Sequence, residues 1–159
     1  MKRSVIVLIL LLVLSISIGC ETKQRLSIDQ NAIRVAVFRK LLPDARERFA
    51  PKVYFLAIRG NNGYRNPGKS IMMHFRDSKL SIKPFTKSGC EINFAVKDKA
   101  TGKVGEIIYV AQIKVLGRTK VEVIGGNFLN GRAGRWHLFT VVLKNGKWTV
   151  VKQKPLGIS

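Results

Sequence analysis

The strongest constraint on the fold is an alternation of apolar and polar residues that runs from about Pro84 to Lys154. A period of two places successive side chains on opposite faces of a strand. Turn signals interrupt the pattern at Thr101-Gly102, Gly117, Gly131 to Gly134 and Asn145-Gly146. We therefore predict four or five antiparallel strands, at about residues 84–97, 104–116, 120–129, 135–144 and 147–154.

The last of these turns also predicts a register. Asn-Gly between two strands favours a type I′ turn, because both central residues need a positive φ. Such a turn pairs Leu143 with Trp148, Val141 with Val150 and Phe139 with Lys152 on one face, and Lys144 with Lys147 and Val142 with Thr149 on the other. The first face is the more apolar of the two, so we expect it to form the core.

A helix is predicted before the strands. Ser27-Ile28-Asp29-Gln30 fits a capping box in which Ser27 is the N-cap. The apolar residues that follow at helical spacing are Ile33, Val37 and Leu41, with Phe38 beside them. Pro43 is expected to end the helix.

The segment between this helix and the strands is mixed. Val53 to Ile58 is a solid apolar run typical of a buried strand, Gly60 to Gly68 is expected to be a loop, and Lys69 to Phe75 is expected to form a short helix. A leading helix, one separate strand, a short helix and a long meander predict an α+β domain. We expect the N-terminal helix to pack on a curved antiparallel sheet.

Three segments resemble uncharacterised exported bacterial proteins with an NTF2-like or cystatin-like domain. They are Val96 to Lys103, Val121 to Phe128 and Lys144 to Val151, the last with the sequence Asn-Gly-Lys-Trp at its turn. The resemblance covers residues 29–159 and implies a cone-shaped α+β domain. Members of that superfamily include enzymes, binding modules and scaffolds, so the resemblance leaves the activity open.

The N-terminus predicts export. Lys2 and Arg3 precede an apolar run from Val5 to Leu14, which is too short to span a bilayer and typical of a signal peptide, here residues 1–19. Its end resembles the lipobox of bacterial lipoproteins, although Ser17 stands where these favour Leu. The resemblance implies that Cys20 carries acyl chains such as palmitate and that residues 20–28 tether the domain to a membrane of the cell envelope. Cleavage upstream would instead allow a disulfide between Cys20 and Cys90.

The chain is strongly basic, with 29 Lys and Arg against 9 Asp and Glu. Removing Lys2 and Arg3 with the signal lowers the formal net charge from +20 to +18. Outside the cytoplasm such a charge favours anionic lipid, an envelope polyanion or an acidic protein as partner. The cations are spread along the chain without a basic tail, which argues against a dedicated nucleic-acid arm.

One segment, Gly63 to Ser70, matches the phosphate-binding loop G-x-x-x-x-G-K-[ST]. That loop must leave a strand directly, open a long helix and meet a second strand that ends in a Mg²⁺-directing Asp. Four residues follow the preceding strand before Gly63, and the next helix has room for about two turns. No nucleotide partner is therefore predicted.

Candidate acid–base residues are few. Glu106 and His137, with His74 as a third, are the residues that a cone-shaped domain could direct into its interior, where burial perturbs a pKa. They are weak catalytic candidates, because a hydrogen-bonded or strand-end structural histidine is the better explanation of His137. The two histidines and Cys90 have unrelated spacings, so we predict no metal and no cofactor.

A candidate binding patch lies at the Gly131 to Gly134 turn and just after it, where Arg132, Arg135 and Trp136 combine cationic and aromatic side chains. The sequence as a whole predicts a non-catalytic, membrane-tethered binding module of the cell envelope with a basic surface. The alternative is a small-molecule-binding or enzymatic NTF2-like domain that uses the interior of the cone. Saturable small-ligand stabilisation that is insensitive to salt would favour the alternative.

The lipid anchor can be tested by the intact mass of the protein from a bacterial membrane fraction. We expect a chain that begins at Cys20 and carries added acyl mass, and we expect the Cys20→Ala variant to lose that mass. An unmodified soluble chain would contradict the anchor and would make the disulfide with Cys90 the better interpretation.

Overall fold

The structure is a computed structural model that describes residues 28–43, 53–89, 95–130 and 133–158. Two helices are described, α1 (Gln30–Leu41) and α2 (Lys69–Met73), with one 3-10 turn at Phe85–Lys87. The strands are β1 (Val53–Gly60), β2 (Gly63–Arg65), β3 (Ile82–Pro84), β4 (Ser88–Gly89), β5 (Lys97–Asp98), β6 (Gly105–Gly117), β7 (Lys120–Asn130), β8 (Ala133–Lys144) and β9 (Lys147–Ile158). None of the helices described is long and apolar enough to cross a membrane.

Helix α1 begins at a different cap from the one predicted. The carboxylate of Asp29 accepts hydrogen bonds from the backbone N–H groups of Asn31 at 2.9 Å and Ala32 at 3.0 Å, so Asp29 is the N-cap. The prediction that Ser27 holds this position was wrong, and Ser27 itself lies outside the described residues. An aspartate caps as well as a serine and adds a negative charge at the positive end of the helix dipole.

The main sheet has the strand order β2-β1-β6-β7-β8-β9, and β3 also pairs with β1. Strands β6 to β9 form the predicted antiparallel meander. The sheet is curved and not closed, so the α+β class with a helix on a curved, mostly antiparallel sheet is confirmed. Strand β1 is not separate, because it runs parallel to β6 from Val53 opposite Gly105 to Ile58 opposite Val110.

Two segments differ from their prediction. The expected loop Gly60 to Gly68 contains β2, which pairs antiparallel with the end of β1. The expected strand over 84–97 is instead β3, the 3-10 turn and β4, followed by β5 after a stretch outside the described residues. Pro84 lacks a backbone N–H and so favours the end of a strand rather than its middle.

The register of the last hairpin follows the prediction only near its turn. Leu143 pairs with Trp148 and Val141 with Val150, as expected. Beyond a register shift between Thr140 and Val141, Phe139 pairs with Gln153 rather than Lys152. A β-bulge on one strand inserts a residue and moves every later pair by one.

The sheet carries a core on each face. On the α1 face, the buried apolar side chains include Ile33, Val37, Phe38, Leu56, Ile108, Val123, Phe139 and Val141. On the other face, Val53, Phe55, Ala57, Val96, Ile107 and Tyr109 form a second cluster. Strand β1 is buried on both faces, which explains its unbroken apolar sequence.

A buried ion pair joins β3 to β5. The ammonium of Lys83 donates a hydrogen bond to Asp98 Oδ2 at 2.8 Å, and the Thr101 hydroxyl donates to the same oxygen at 2.6 Å. Asp98 is 1% exposed. The hydrogen bond from Lys83, and then that from Thr101, lower the pKa of the Asp98 carboxyl below its ordinary value.

Acid should therefore abolish the contribution of this ion pair to stability. Because the pKa of Asp98 is lowered on folding, its stabilisation is complete above its unfolded pKa of about 3.9 and is lost as the pH falls through the folded pKa. We expect the free energy of unfolding of Asp98→Asn to lie below that of the unchanged chain at pH 7, with the gap shrinking below about pH 4. Urea titrations across pH, with Asp77→Asn as the control for an exposed carboxylate, measure the gap; a gap independent of pH would contradict the account.

Candidate anion-binding site

Three hairpin turns lie at the same end of the main sheet. Because β1 is parallel to β6, the turn after β1 (residues 60–63) lies at the same end as the turn after β6 (residues 117–120). The turn between β8 and β9 (residues 144–147) joins them, since Leu143 N–H donates to the Thr119 carbonyl at 2.8 Å. We call these three turns the hairpin end.

A cavity of about 720 Å³ opens where β1 and β6 part, next to the hairpin end. The two strands last pair at Ile58 and Val110, after which the register of β6 shifts and leaves Ala111 and Gln112 without partners in the β6–β7 ladder. The side chains that line the opening include Arg34, Arg59, Arg65, Asn61, Gln112 and Ile124. The bulge and the divergence of two strands thus create a recess lined by three arginines. Arg34 and Arg65 lie on the α1 face of the sheet, and Arg59 lies on the face of the second cluster.

Arg34 enters this cavity from the first turns of α1. Its Nη2 donates to Gln30 Oε1 at 2.9 Å and its Nη1 to Asn31 Oδ1 at 3.3 Å, which fixes the side chain against the helix. The Nε atom is buried and has no hydrogen-bond partner among the described residues. Burial, and then the charge of Arg65, lower the pKa of the Arg34 guanidinium. A buried donor without a partner is costly, so an anion that reaches Nε would be bound strongly.

Arg59 is held by aromatic rings. Its guanidinium carbon lies 5.8 Å from the centroid of Tyr64 and 5.9 Å from that of Tyr109. Tyr64 packs in turn against Phe85, with ring centroids 5.5 Å apart. Burial raises the pKa of the Tyr109 hydroxyl, and the charge of Arg59 opposes that rise. Arg59 is therefore positioned before any ligand binds, which reduces the entropy lost on binding.

The residues that line the cavity include three cations and no carboxylate. The ion pair found among the described residues joins Lys83 of β3 to Asp98 of β5 and does not involve these arginines. Guanidinium groups bind phosphate or carboxylate through paired, charge-assisted hydrogen bonds. The arrangement is suited to holding an anion.

A second cavity, of about 410 Å³, adjoins the first. It is lined by the β1–β2 hairpin from Gly60 to Arg65 and shares Gly60, Asn61 and Arg65 with the arginine cavity. Gly63 has φ +99°, a conformation that a residue with a side chain rarely adopts, so the sharp turn there depends on glycine. The two recesses together can accommodate a ligand longer than a single phosphate.

The segment that matches the phosphate-binding loop has a different structure. Gly63 lies in β2, and the helix that follows has five residues and no side-chain hydrogen bond at its Gly68 cap. Asp98 follows Lys97 in a two-residue antiparallel strand and is held by Lys83. The segment contributes to the candidate site through Arg65 rather than through its backbone N–H groups.

The predicted patch lies at the other end of the sheet. Arg135 is exposed and pairs with Ile158, whereas the half-buried Trp136 stacks on Gly157, where a Cβ would come within 2.8 Å of the indole. Arg132 lies outside the described residues. Strand alternation points Arg135 and Trp136 to opposite faces, so the structure does not bring this pair together.

Glu106 and His137 both lie on the α1 face of the sheet but do not meet. Glu106 is 6% exposed and accepts a hydrogen bond from Asn127 Nδ2 at 2.5 Å. His137 lies two strands away, opposite Gly125, with its ring 5.8 Å from that of Phe139. Burial, and then the charge of Arg135, lower the pKa of His137.

His74 lies in a different recess, of about 340 Å³, beside Arg39 and Phe75. Cys90 lies outside the described residues. Within the described part of the chain, no group of three His, Cys, Asp or Glu side chains could hold a metal ion.

Comparison of the chain with protein-family models, with curated proteins and with solved structures finds no significant match. The candidate site is therefore interpreted from its own chemistry. Sequence reasoning missed Arg34, Arg59 and Arg65, because they come from a helix, a strand end and a hairpin and share no motif. They line one cavity because β1 pairs with β6, and no local sequence pattern predicts that pairing.

Repulsion among the three arginines should be measurable as a cost in stability. Replacing Arg65 by Gln removes the charge that disfavours protonated Arg34, so we expect the free energy of unfolding to rise by ~0.2–1 kcal/mol at low ionic strength, the size of a surface charge interaction. The gain should fade as added salt screens the charges. Urea denaturation at two ionic strengths measures it.

Lys152→Gln is the matched control, since Lys152 is exposed on β9 outside the cavity. An equal gain in this variant would assign the effect to net charge rather than to the cavity. A loss of stability in Arg65→Gln would contradict the account.

Proposed function

We propose that this chain is an exported, membrane-tethered module of the cell envelope that binds an anionic component and does not transform it. The observation that carries the proposal is the cavity lined by Arg34, Arg59 and Arg65, with no carboxylate among the described residues that line it. An unpaired charge is costly to desolvate, and this cost falls on Arg34, which is half-buried with a buried Nε atom, whereas Arg59 and Arg65 are exposed. Unpaired, positioned guanidinium groups are typical of a site that awaits an anion.

The tether of this proposal is the lipid on Cys20, with residues 20–28 linking it to the domain. The proposal also places the domain among NTF2-like or cystatin-like modules, with α1 in the concavity of a cone. An open, curved sheet with a long helix on one face supports that assignment. The parallel β1–β6 pair and the turns of the hairpin end are the features by which this chain departs from a plain helix and meander.

Binding would use the three arginines differently. Arg34 offers a desolvated Nε, Arg59 is held in place between two tyrosine rings, and Arg65 lies on the exposed hairpin where it reaches both cavities. An anion would relieve the repulsion between Arg34 and Arg65 as well as form hydrogen bonds. Affinity should therefore decrease with ionic strength, since part of it is Coulombic.

A second candidate is a small-molecule binder or enzyme on the α1 face. The observation that favours it is the row of polar groups Glu106, Asn127 and His137, in which Asn127 Oδ1 and His137 Nδ1 are buried without a partner among the described residues. In that function Glu106 would be the acid or base and His137 a second proton carrier. Binding of a neutral ligand that is insensitive to salt would favour it over the anion site.

Calorimetric titration with inorganic polyphosphate tests the proposal directly. The protein is the full lipidated chain purified from membranes in a neutral detergent. We expect saturable binding that weakens at least tenfold in the Arg59→Gln/Arg65→Gln double variant, because each charge-assisted hydrogen bond contributes about 1.5–3 kcal/mol.

Arg135→Gln is the matched control, since it removes an exposed arginine at the other end of the sheet. Binding that survives in the double variant but is lost in Arg135→Gln would move the site to the patch predicted from sequence. Absence of any salt-dependent binding would contradict the proposed function.

A further inference from the structure

We propose that the hairpin end docks on the surface of an anionic phospholipid bilayer, with the tip of the β6–β7 hairpin inserted among the headgroups. This inference rests on the tether of the proposed function but not on its arginine cavity. It assigns an orientation to the whole domain and names the bilayer as a partner in its own right.

The first observation is the concentration of charge at this end. The cations next to the β6–β7 and β8–β9 turns are Lys114, Arg118, Lys120, Lys144 and Lys147. Glu122 is the carboxylate among the described residues within five positions of these turns, and it pairs with Lys114. A cluster of cations with little compensation is attracted to anionic lipid headgroups over about a Debye length.

The second observation is an exposed apolar pair inside this charged frame. Val115 is 54% exposed and Leu116 is 45% exposed, and both directly precede the turn with Arg118. A register shift between Val115 and Gly117 leaves Leu116 without a partner in the β6–β7 ladder, so the exposed pair lies at an irregular point of the strand, close to the turn. Apolar side chains at a tip, flanked by basic ones, match the layered polarity of a membrane interface.

The third observation is the place where the tether enters the domain. Helix α1 starts nearest the hairpin end, because Arg34 lines the cavity there. Leu42 and Pro43, which follow the helix, lie with Leu80 in a recess next to Ser81, whose carbonyl accepts from Tyr54 N–H at the start of β1. Residues 21–29 can span at most ~30 Å, whatever their conformation. A lipid on Cys20 therefore keeps this end of the domain close to the bilayer and raises the effective concentration of headgroups around it.

Chemical labelling of lysines on the unchanged protein tests the orientation. The lipidated chain is reconstituted in vesicles of phosphatidylglycerol with phosphatidylcholine and, separately, in vesicles of phosphatidylcholine alone. Acetylation of each lysine is then measured by mass spectrometry. We expect Lys120, Lys144 and Lys147 to react several-fold more slowly in the anionic vesicles, whereas Lys103 and Lys154, which lie away from the hairpin end, react equally in both.

A double substitution at Val115 and Leu116 tests whether the tip of the β6–β7 hairpin inserts into the bilayer. Because Val115 and Leu116 are about half exposed, replacing both by Ser leaves the buried core unchanged. We expect the lysine protection to fall by several-fold, since withdrawing a leucine-sized group from lipid weakens association by roughly tenfold. Leu156→Ser is the matched control, because Leu156 is 45% exposed near the opposite end of β9, next to the Trp136–Gly157 pair. We expect it to leave the protection unchanged.

The outcomes separate the two proposals. Equal protection of all five lysines, or none, overturns the docking; if polyphosphate still binds the arginine cavity, the proposed function stands. Protection that persists in the double Ser variant overturns the insertion of the tip. Absence of both lysine protection and polyphosphate binding overturns the docking and the proposed function together.

Discussion

The parallel pairing of β1 with β6 is the contact on which the rest of the structure depends. It joins the N-terminal half of the domain to the meander, and its close approach requires Gly105, where a Cβ would lie 2.7 Å from the Val53 carbonyl oxygen and 2.6 Å from the Phe55 ring. The same pairing sets the direction of β1. Without it, the β1–β2 hairpin would not lie beside the β6–β7 and β8–β9 turns, and the three arginines would not share a cavity.

At the hairpin end, repulsion between cations lowers the stability of the fold. The interior is stabilised by apolar clusters on both faces of the sheet and by an ion pair between the partly buried Lys83 and the buried Asp98. The hairpin end instead gathers like charges that repel one another. Burial, and then the charge of Arg65, lower the pKa of the Arg34 guanidinium. Such a concentration of unpaired charge is retained at a cost, which is the physical basis for interpreting it as a binding surface.

Sequence reasoning succeeded where the structure is local. The alternation of period two predicted β6 to β9, and the Asn-Gly turn predicted the first pairs of the last hairpin. It was wrong beyond the bulge at Thr140, because the Lys152-Gln153-Lys154 segment carries no apolar residue that would mark its core face. It was also wrong at Ser27, since Asp29 is an equally good cap two residues later.

The candidate site could not be predicted, because it is a product of tertiary contacts. A solid apolar strand such as β1 has no alternation, so its sequence gives neither its partner nor its direction. Arg34, Arg59 and Arg65 are each unremarkable in their own segments. The aromatic–basic cluster near Trp136 gave a stronger local pattern, yet its tryptophan packs on Gly157 and its arginine points away.

The most direct test of the central claim is a crystal structure of the protein with tungstate, an electron-dense analogue of phosphate, located by its anomalous scattering. The account predicts one strong peak in the arginine cavity, within hydrogen-bond distance of the Arg34 Nε atom and of the Arg65 guanidinium group. A cavity that stays empty while tungstate binds at Arg135 or at scattered surface lysines would contradict it.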